Sequence, residues 1–123
     1  MKVYLFASQG LNDKAMLERF QDDILSFLAE NNITKEDVIN IGTIKNGYLI
    51  QLLKNEGFDV EERAQHPNSL SNSNKKAIRE NQNILFINYN DSFNMNDLLE
   101  YAQSLQDKNI MLLKLNDNQS RGN

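Results

Sequence analysis

The sequence predicts a three-layer α/β domain of the Rossmann-like or flavodoxin-like type, with a mostly parallel five-stranded sheet. Five short segments are almost continuously apolar and are bounded by glycine, asparagine or aspartate, as buried parallel strands are. Segments with apolar residues at helical spacing separate them, and this alternation is typical of βαβ units. We therefore expect one domain over residues 1–115 and a disordered tail over 116–123.

The strands follow the apolar segments in chain order. The first is Lys2–Ser8, where the unbroken apolar run predicts burial on both faces. The other four are Val38–Ile41, Phe58–Val60, Ile84–Ile87 and Ile110–Leu115. Strand order stays open between 2-1-3-4-5 and 3-2-1-4-5, because both are compatible with right-handed crossovers.

Four helices are predicted between the strands. Asn12 or Asp13 is placed to cap the first helix, and Gly57 to end the second in a left-handed conformation. The third is predicted over Asn74–Glu80. Apolar stripes define the first helix (Met16, Leu17, Phe20, Ile24, Phe27, Leu28), the second (Leu49, Leu52, Leu53) and the last (Leu98, Leu99, Ala102, Leu105).

Composition excludes several classes of protein. The 123 residues are 40% hydrophobic and 24% charged, as in an ordinary globular domain, and the longest apolar runs are too short to cross a bilayer. A net charge of −4 offers no general basic field for duplex nucleic acid. There is no cysteine, which rules out disulfides and thiol chemistry. We expect a cytoplasmic protein without membrane contact, and a homo-oligomer is compatible with the sequence.

Four loops are expected at the carboxyl edge of the sheet, where α/β domains bind their ligands. They are Ser8–Asn12, Gly42–Gly47, Arg63–Ser73 and Asn88–Asn94. All four contain small or polar residues, and the amides of the helices that follow can bind a phosphate or carboxylate. The sequence therefore predicts a small-molecule site at this edge.

The first two loops supply five candidate ligand-binding residues. Ser8, Gln9 and Gly10 are expected to hold an anion where the first helix begins, although the same residues also fit a plain strand-to-helix turn. Gly42 and Thr43 are expected to bring the backbone close to the ligand.

Four further candidates follow the third and fourth strands. Lys75 and Lys76 are predicted at the start of a helix, where their charge and the helix dipole both favour an anion, although a solvated helix face fits them too. Asn88 and Asn90 are expected to hydrogen-bond a base or ribose edge.

Motifs that would identify an enzyme are missing. The sequence has no GxGxxG, no Walker lysine motif, no GxSxG and no cluster of metal ligands. We therefore predict no metal and no cofactor, and we assign no catalytic residue. Acid–base chemistry would have to use Asp91, Asp97 or Glu100 near the fourth strand.

The order of features resembles the SLOG superfamily of Rossmann-like nucleotide-binding proteins over almost the whole chain. Ala7-Ser8-Gln9 is similar to the opening of that family, and Ile41-Gly42-Thr43 to its second loop. Asn74–Ile78 stands where members carry an Arg-Asn pair, and Asn96–Ala102 resembles the helix after their Gly-Thr turn. The Arg-Asn pair and that turn are missing, so the resemblance implies a degenerate member that binds a nucleotide derivative.

The layout is also similar, more weakly, to nucleoside deoxyribosyltransferases. That family uses a glutamate nucleophile in the helix after the fourth strand. If Ala102 is matched to an alanine of the family, the place of the glutamate falls on Leu98, with Asp97 and Glu100 nearby but out of register.

The sequence thus predicts binding of a nucleotide-derived or other anionic small molecule at the carboxyl edge of the sheet. One alternative is a hydrolase or transferase acting on a nucleoside N-glycosidic bond. Another is a non-catalytic protein-interaction module, such as a mobile-element accessory protein, using Phe93 and Met95.

Overall fold

The computed structural model describes residues 1–117, which form five strands and four helices in alternation. The helices are α1 (Lys14–Glu30), α2 (Gly47–Asn55), α3 (Leu70–Glu80) and α4 (Phe93–Ser104). The strands are β1 (Lys2–Ala7), β2 (Val38–Gly42), β3 (Asp59–Arg63), β4 (Asn83–Tyr89) and β5 (Asn109–Leu115). None of these helices is long and apolar enough to span a membrane.

The sheet order is β3-β2-β1-β4-β5, and all five strands are parallel. This resolves the predicted choice in favour of 3-2-1-4-5. The chain moves outward from β1 to β3, returns across the sheet through α3, and continues outward on the other side. The reversal lies between β1 and β4, so the loops after these two strands diverge and leave a crevice at the carboxyl edge.

Two apolar layers cover the sheet and confirm the three-layer prediction. One layer packs α1 and α2 on residues such as Val3, Leu5 and Ile39. The other packs α3 and α4 on Tyr4, Phe6 and Phe86, among others. Successive β1 residues therefore face opposite cores, which is why this strand is apolar without interruption.

The edge strand β3 is more exposed than the sequence suggested. The third strand was predicted to be apolar over Phe58–Val60, but β3 runs from Asp59 to Arg63 and contains no fully buried residue. Among residues 1–117 it pairs only with β2, so its other edge is open and charged side chains reach solvent.

Two predicted helix ends are confirmed. The Asp13 carboxylate accepts a hydrogen bond from the Met16 amide at 3.1 Å and caps α1. Gly57, with φ of 92°, lies in the left-handed region just after α2.

The prediction for the start of the third helix was wrong. A 3₁₀ turn at Pro67–Ser69 leads directly into α3, which begins at Leu70 and not at Asn74. Proline fits the first position of such a turn, because its missing N–H would have no partner there. Lys75 and Lys76 therefore lie in the middle of α3, away from its N-terminal amides.

The segment Asn88–Asn94, predicted to be a polar loop, is mostly regular structure. β4 continues to Tyr89 and α4 begins at Phe93, which leaves Asn90–Ser92 as the connection. The Ser92 hydroxyl accepts a hydrogen bond from the Met95 amide at 3.4 Å and caps α4.

The C-terminal segment is held against the sheet as far as Asp117. The Asp117 carboxylate accepts hydrogen bonds from the Tyr89 hydroxyl and from the side-chain amide of Asn90, and the Asp117 carbonyl accepts one from Arg19 at 2.7 Å. Residues 118–123 of the predicted tail lie outside the described residues.

Candidate functional site

A cleft of about 580 Å³ opens at the carboxyl edge of the sheet, where the strand order reverses. It is lined by the ends of β1 and β2, the loops that follow them, and the first turns of α3 and α4. Its lining residues are Tyr4, Leu5, Phe6, Ala7, Ser8, Gln9, Gly10, Gly42, Ile44, Asn46, Gln65, Leu70, Ser71, Asn74, Tyr89, Asn90, Ser92, Asn94, Met95, Asp97 and Leu98. Five of the nine sequence-predicted candidates are brought together there: Ser8, Gln9, Gly10, Gly42 and Asn90.

Ser8 reaches the cleft, but its hydroxyl is used within the protein. The side chain is 2% exposed, donates to the Ile87 carbonyl at 3.3 Å and accepts from the Tyr89 amide at 2.9 Å. A hydroxyl has one hydrogen to donate, so none remains for an anion. Ser8 thus joins the ends of β1 and β4.

Gln9 and Gly10 form the rim above Ser8. The exposed Gln9 side chain accepts a hydrogen bond from the Lys45 ammonium at 3.4 Å. A Cβ on Gly10 would lie 3.0 Å from the ring of Tyr89. Gly10 therefore allows this ring to pack closely against the turn after β1.

Gly42 leaves space for the side chain of Gln65, which was not among the residues predicted from the sequence. A Cβ at Gly42 would lie 2.3 Å from the Gln65 carboxamide. That carboxamide accepts from the Ile44 amide at 3.1 Å and donates to Asn74 at 2.8 Å. Gln65 thereby joins the loops after β2 and β3 to α3, and its place in a polar loop at this edge was the only sequence signal. Thr43, next to Gly42, is absent from the lining.

Neither predicted lysine lines the cleft. The Lys75 ammonium lies 5.5 Å from the centre of the Tyr101 ring, and the Lys76 ammonium lies 3.8 Å from the Glu80 carboxylate. No lysine or arginine is found among the cleft residues within 1–117. Favourable potential for an anion comes instead from the N-terminal turns of α2, α3 and α4, which meet at this edge.

The two asparagines after β4 differ in position. Asn88 is 2% exposed and does not line the cleft; it accepts from the Ser92 amide and donates to Asn96, both at 2.8 Å. Asn90 lines the cleft and exchanges two hydrogen bonds with Asp117. Asn88 therefore fixes the loop that presents Asn90.

Tyr4 lines the cleft and was not recognised in the sequence as anything other than a core residue. It is 1% exposed, and its hydroxyl has no hydrogen-bond partner among residues 1–117. Its ring lies 4.8 Å from that of Phe6, and burial raises the pKa of the phenol above its ordinary value. The directly opposite residue on β2 is Asn40, whose side-chain oxygen is also buried without a partner in this part of the chain.

The residues named for the alternative functions are scattered. Asp97 lines the cleft, whereas Asp91 and Glu100 do not. Phe93 is 83% exposed at the start of α4, while Met95 is only 6% exposed and belongs to the core.

Comparison with protein-family models, curated proteins and solved structures found no match to this chain. The resemblances to the SLOG superfamily and to nucleoside deoxyribosyltransferases therefore stay predictions.

Proposed function

We propose that this domain binds a nucleoside or a nucleotide-derived small molecule in the carboxyl-edge cleft. The observation that carries the proposal is the composition of the cleft at the point of strand reversal. Phe6, Leu70, Met95 and Leu98 provide apolar surface, and serine, asparagine and glutamine side chains surround it. The volume of about 580 Å³ lies within the range of roughly 300–1,000 Å³ that is usual for small-molecule sites.

Flat heterocycles with hydrogen-bonding edges suit such a lining. The apolar residues can cover the faces of a base, while the carboxamides of Gln65, Asn74 and Asn90 read its edges. Each carboxamide carries two donor hydrogens and two acceptor lone pairs. The internal hydrogen bonds of Gln65 use one of each, so one donor and one acceptor stay free for a ligand.

A phosphate would add limited affinity in this cleft. No cationic side chain lines it within residues 1–117, so a phosphate depends on backbone amides at the starts of α2, α3 and α4 and on Lys45, whose ammonium lies 3.4 Å from the Gln9 side chain at the rim. Helix termini of this kind contribute up to about 2 kcal/mol. Because about 1.4 kcal/mol corresponds to a tenfold change, we expect a nucleoside and its monophosphate to bind with dissociation constants within about thirtyfold of each other.

A thermal-shift screen against nucleosides, nucleotides, cyclic dinucleotides and ADP-ribose tests the proposal. At about 100 times its Kd, a ligand stabilises the domain by roughly 2.7 kcal/mol, which corresponds to a shift of several degrees. Ser71→Trp places a large side chain at an exposed position of the cleft and should remove the shift. Gln51→Trp, on the exposed surface of α2, is the matched control and should retain it. If none of these compounds raises the unfolding midpoint of the wild-type protein, the proposal is contradicted.

A second candidate function rests on Asp97, the only acidic side chain that lines the cleft within residues 1–117. A carboxylate beside a bound nucleoside is placed to assist cleavage of the N-glycosidic bond. Release of free base from a nucleoside panel, lost in Asp97→Asn and retained in Glu100→Gln, would support this activity. No release by wild-type protein would exclude it for the nucleosides tested.

A further inference from the structure

Two buried side-chain oxygens have no hydrogen-bond partner within residues 1–117, those of Tyr4 and Asn40. Folded proteins rarely leave such groups unpaired, because a buried polar atom without a partner loses its interactions with water and gains nothing. Of the two residues, only Tyr4 lines the cleft. The Tyr4 hydroxyl is therefore the buried, unpaired group of a residue that lines the candidate site, and a ligand reaches it only when the side chains that enclose the hydroxyl move.

The surroundings of Tyr4 do not explain why a hydroxyl is present. Most of the side chains packed around it are apolar, among them Phe6 and Phe86. Arg63 and Glu80, which pair with each other at 2.9 Å, act on the phenol through their charges, and Asn40 lies directly opposite on β2, but none of the three has a hydrogen bond to the hydroxyl. A phenylalanine at position 4 would keep the ring packing without burying a polar atom. In the ligand-free protein, burial of the hydroxyl thus lowers stability, and no hydrogen bond within residues 1–117 offsets that loss.

We propose that the Tyr4 hydroxyl donates a hydrogen bond to an uncharged acceptor of the ligand, namely a carbonyl oxygen or ring nitrogen of a base. This inference rests on the proposed function and deepens it by giving the ligand an orientation. The base lies deepest, against Tyr4, and the sugar and any phosphate lie toward the helix starts at the rim.

The acceptor must be uncharged for a physical reason. An ionised group beside Tyr4 would lose its hydration, and the Arg63 guanidinium, whose charge acts on the phenol, is already paired with Glu80 at 2.9 Å. Burial also raises the pKa of the Tyr4 phenol, so the hydroxyl keeps its proton at neutral pH and acts as a donor. A neutral acceptor on a flat ring meets both conditions.

Tyr4→Phe tests this inference, because it removes one oxygen and keeps the ring. Thermal unfolding of the ligand-free variant is compared with calorimetric titrations of adenosine, inosine, uridine and thymidine. Tyr48→Phe is the matched control, since Tyr48 is 50% exposed on α2 and lies outside the cleft. We expect the unfolding midpoint of Tyr4→Phe to stay the same or rise, while its affinity for the best-bound nucleoside falls about tenfold.

The other outcomes are distinguishable. A midpoint several degrees lower would overturn the inference, because the hydroxyl would then already be satisfied in the resting protein, by Asn40 or by solvent. Equal affinities of wild type and variant would also overturn it and leave the proposed function standing. If no nucleoside binds the wild type, both the proposed function and the inference fail.

Discussion

Ser8 and Tyr4 lie four residues apart at the same cleft, and both are at least 98% buried, yet their hydroxyls differ. Ser8 donates one hydrogen bond and accepts another across the ends of β1 and β4, whereas the Tyr4 hydroxyl has no partner within residues 1–117. Burial alone therefore does not identify a ligand contact. A buried polar group whose bonds are complete holds the scaffold, and one whose bonds are missing is a candidate for a ligand contact.

The same distinction separates the side chains that hold the loops around the cleft from the one proposed to meet a ligand. Asn88 fixes the start of α4 and Ser8 fixes the end of β4. Tyr4 lies in a mostly apolar layer, and its hydroxyl has no partner within residues 1–117. Substitution of Asn88 or Ser8 should lower stability, whereas removal of the Tyr4 hydroxyl should lower affinity.

The largest loss of stability is expected for Asn88→Ala. This change removes two partly buried hydrogen bonds, leaves the Ser92 amide without its partner and opens a small cavity. We expect the free energy of unfolding in urea to fall by about 3 kcal/mol. Gln103→Ala, on the exposed surface of α4, should change it by less than about 0.5 kcal/mol. Equal stabilities of the two variants would contradict the scaffold role of Asn88.

Ser8→Ala should have the next largest effect. The Tyr89 amide loses its partner, while the Ile87 carbonyl loses one of two bonds and keeps the one from the Ser8 backbone amide at 3.1 Å, for a cost of about 2 kcal/mol in urea unfolding. The free energy of unfolding of Ser8→Ala is best compared with that of Tyr4→Phe, because each variant loses a single buried hydroxyl. If both variants lose the same stability, the distinction between the two groups is wrong.

A smaller effect is expected for Gly42→Ala. The new methyl group displaces the Gln65 carboxamide and breaks its bonds to Ile44 and Asn74, at a cost of about 1 kcal/mol. Because Gln65 lines the cleft, nucleoside affinity should fall as well. Gly47→Ala is the control: an added Cβ meets nothing within 4 Å, and alanine at the start of α2 should be neutral or slightly stabilising. Thermal unfolding and calorimetry measure both effects.

The smallest effect concerns acid stability at Asp117. Hydrogen bonds from Tyr89 and Asn90 lower the pKa of this exposed carboxyl below its ordinary value of 3.8. A lowered folded-state pKa means that the contribution is complete above the ordinary value and is lost as the pH falls through the lowered one. Between pH 6 and pH 2, the unfolding midpoint of Asp117→Asn should therefore fall less steeply than that of the wild type. Parallel curves would mean that the contacts of Asp117 contribute nothing.

The fold was largely predictable because its buried strands are short apolar runs and its helices carry apolar residues at helical spacing. Asp13 and Gly57 mark helix ends through local chemistry that needs no tertiary information. Strand order was not predictable, since the same alternation of elements fits both arrangements. The start of α3 was missed because its first turn, Leu70 to Ser73, contains serine and asparagine residues that are weak helix formers.

The candidate site was less predictable, because it depends on which side chains meet across distant loops. Ser8 and Gly42 were placed correctly at the sheet edge, but their contacts with Tyr89 and Gln65 connect residues far apart in sequence. Tyr4 could not be distinguished from an ordinary core aromatic, because the lack of a partner for its hydroxyl is visible only in three dimensions.

Titration of isotope-labelled protein with adenosine and uridine, followed by amide NMR signals, tests the central claim most directly. If the carboxyl-edge cleft binds nucleosides, the largest shifts will fall on Tyr4, Gly42, Asn74 and Asn90. Signals in the separate groove between α1 and α2, such as those of Tyr48 and Gln51, will stay in place. No shifts with either nucleoside, or shifts confined to that groove, would contradict the account.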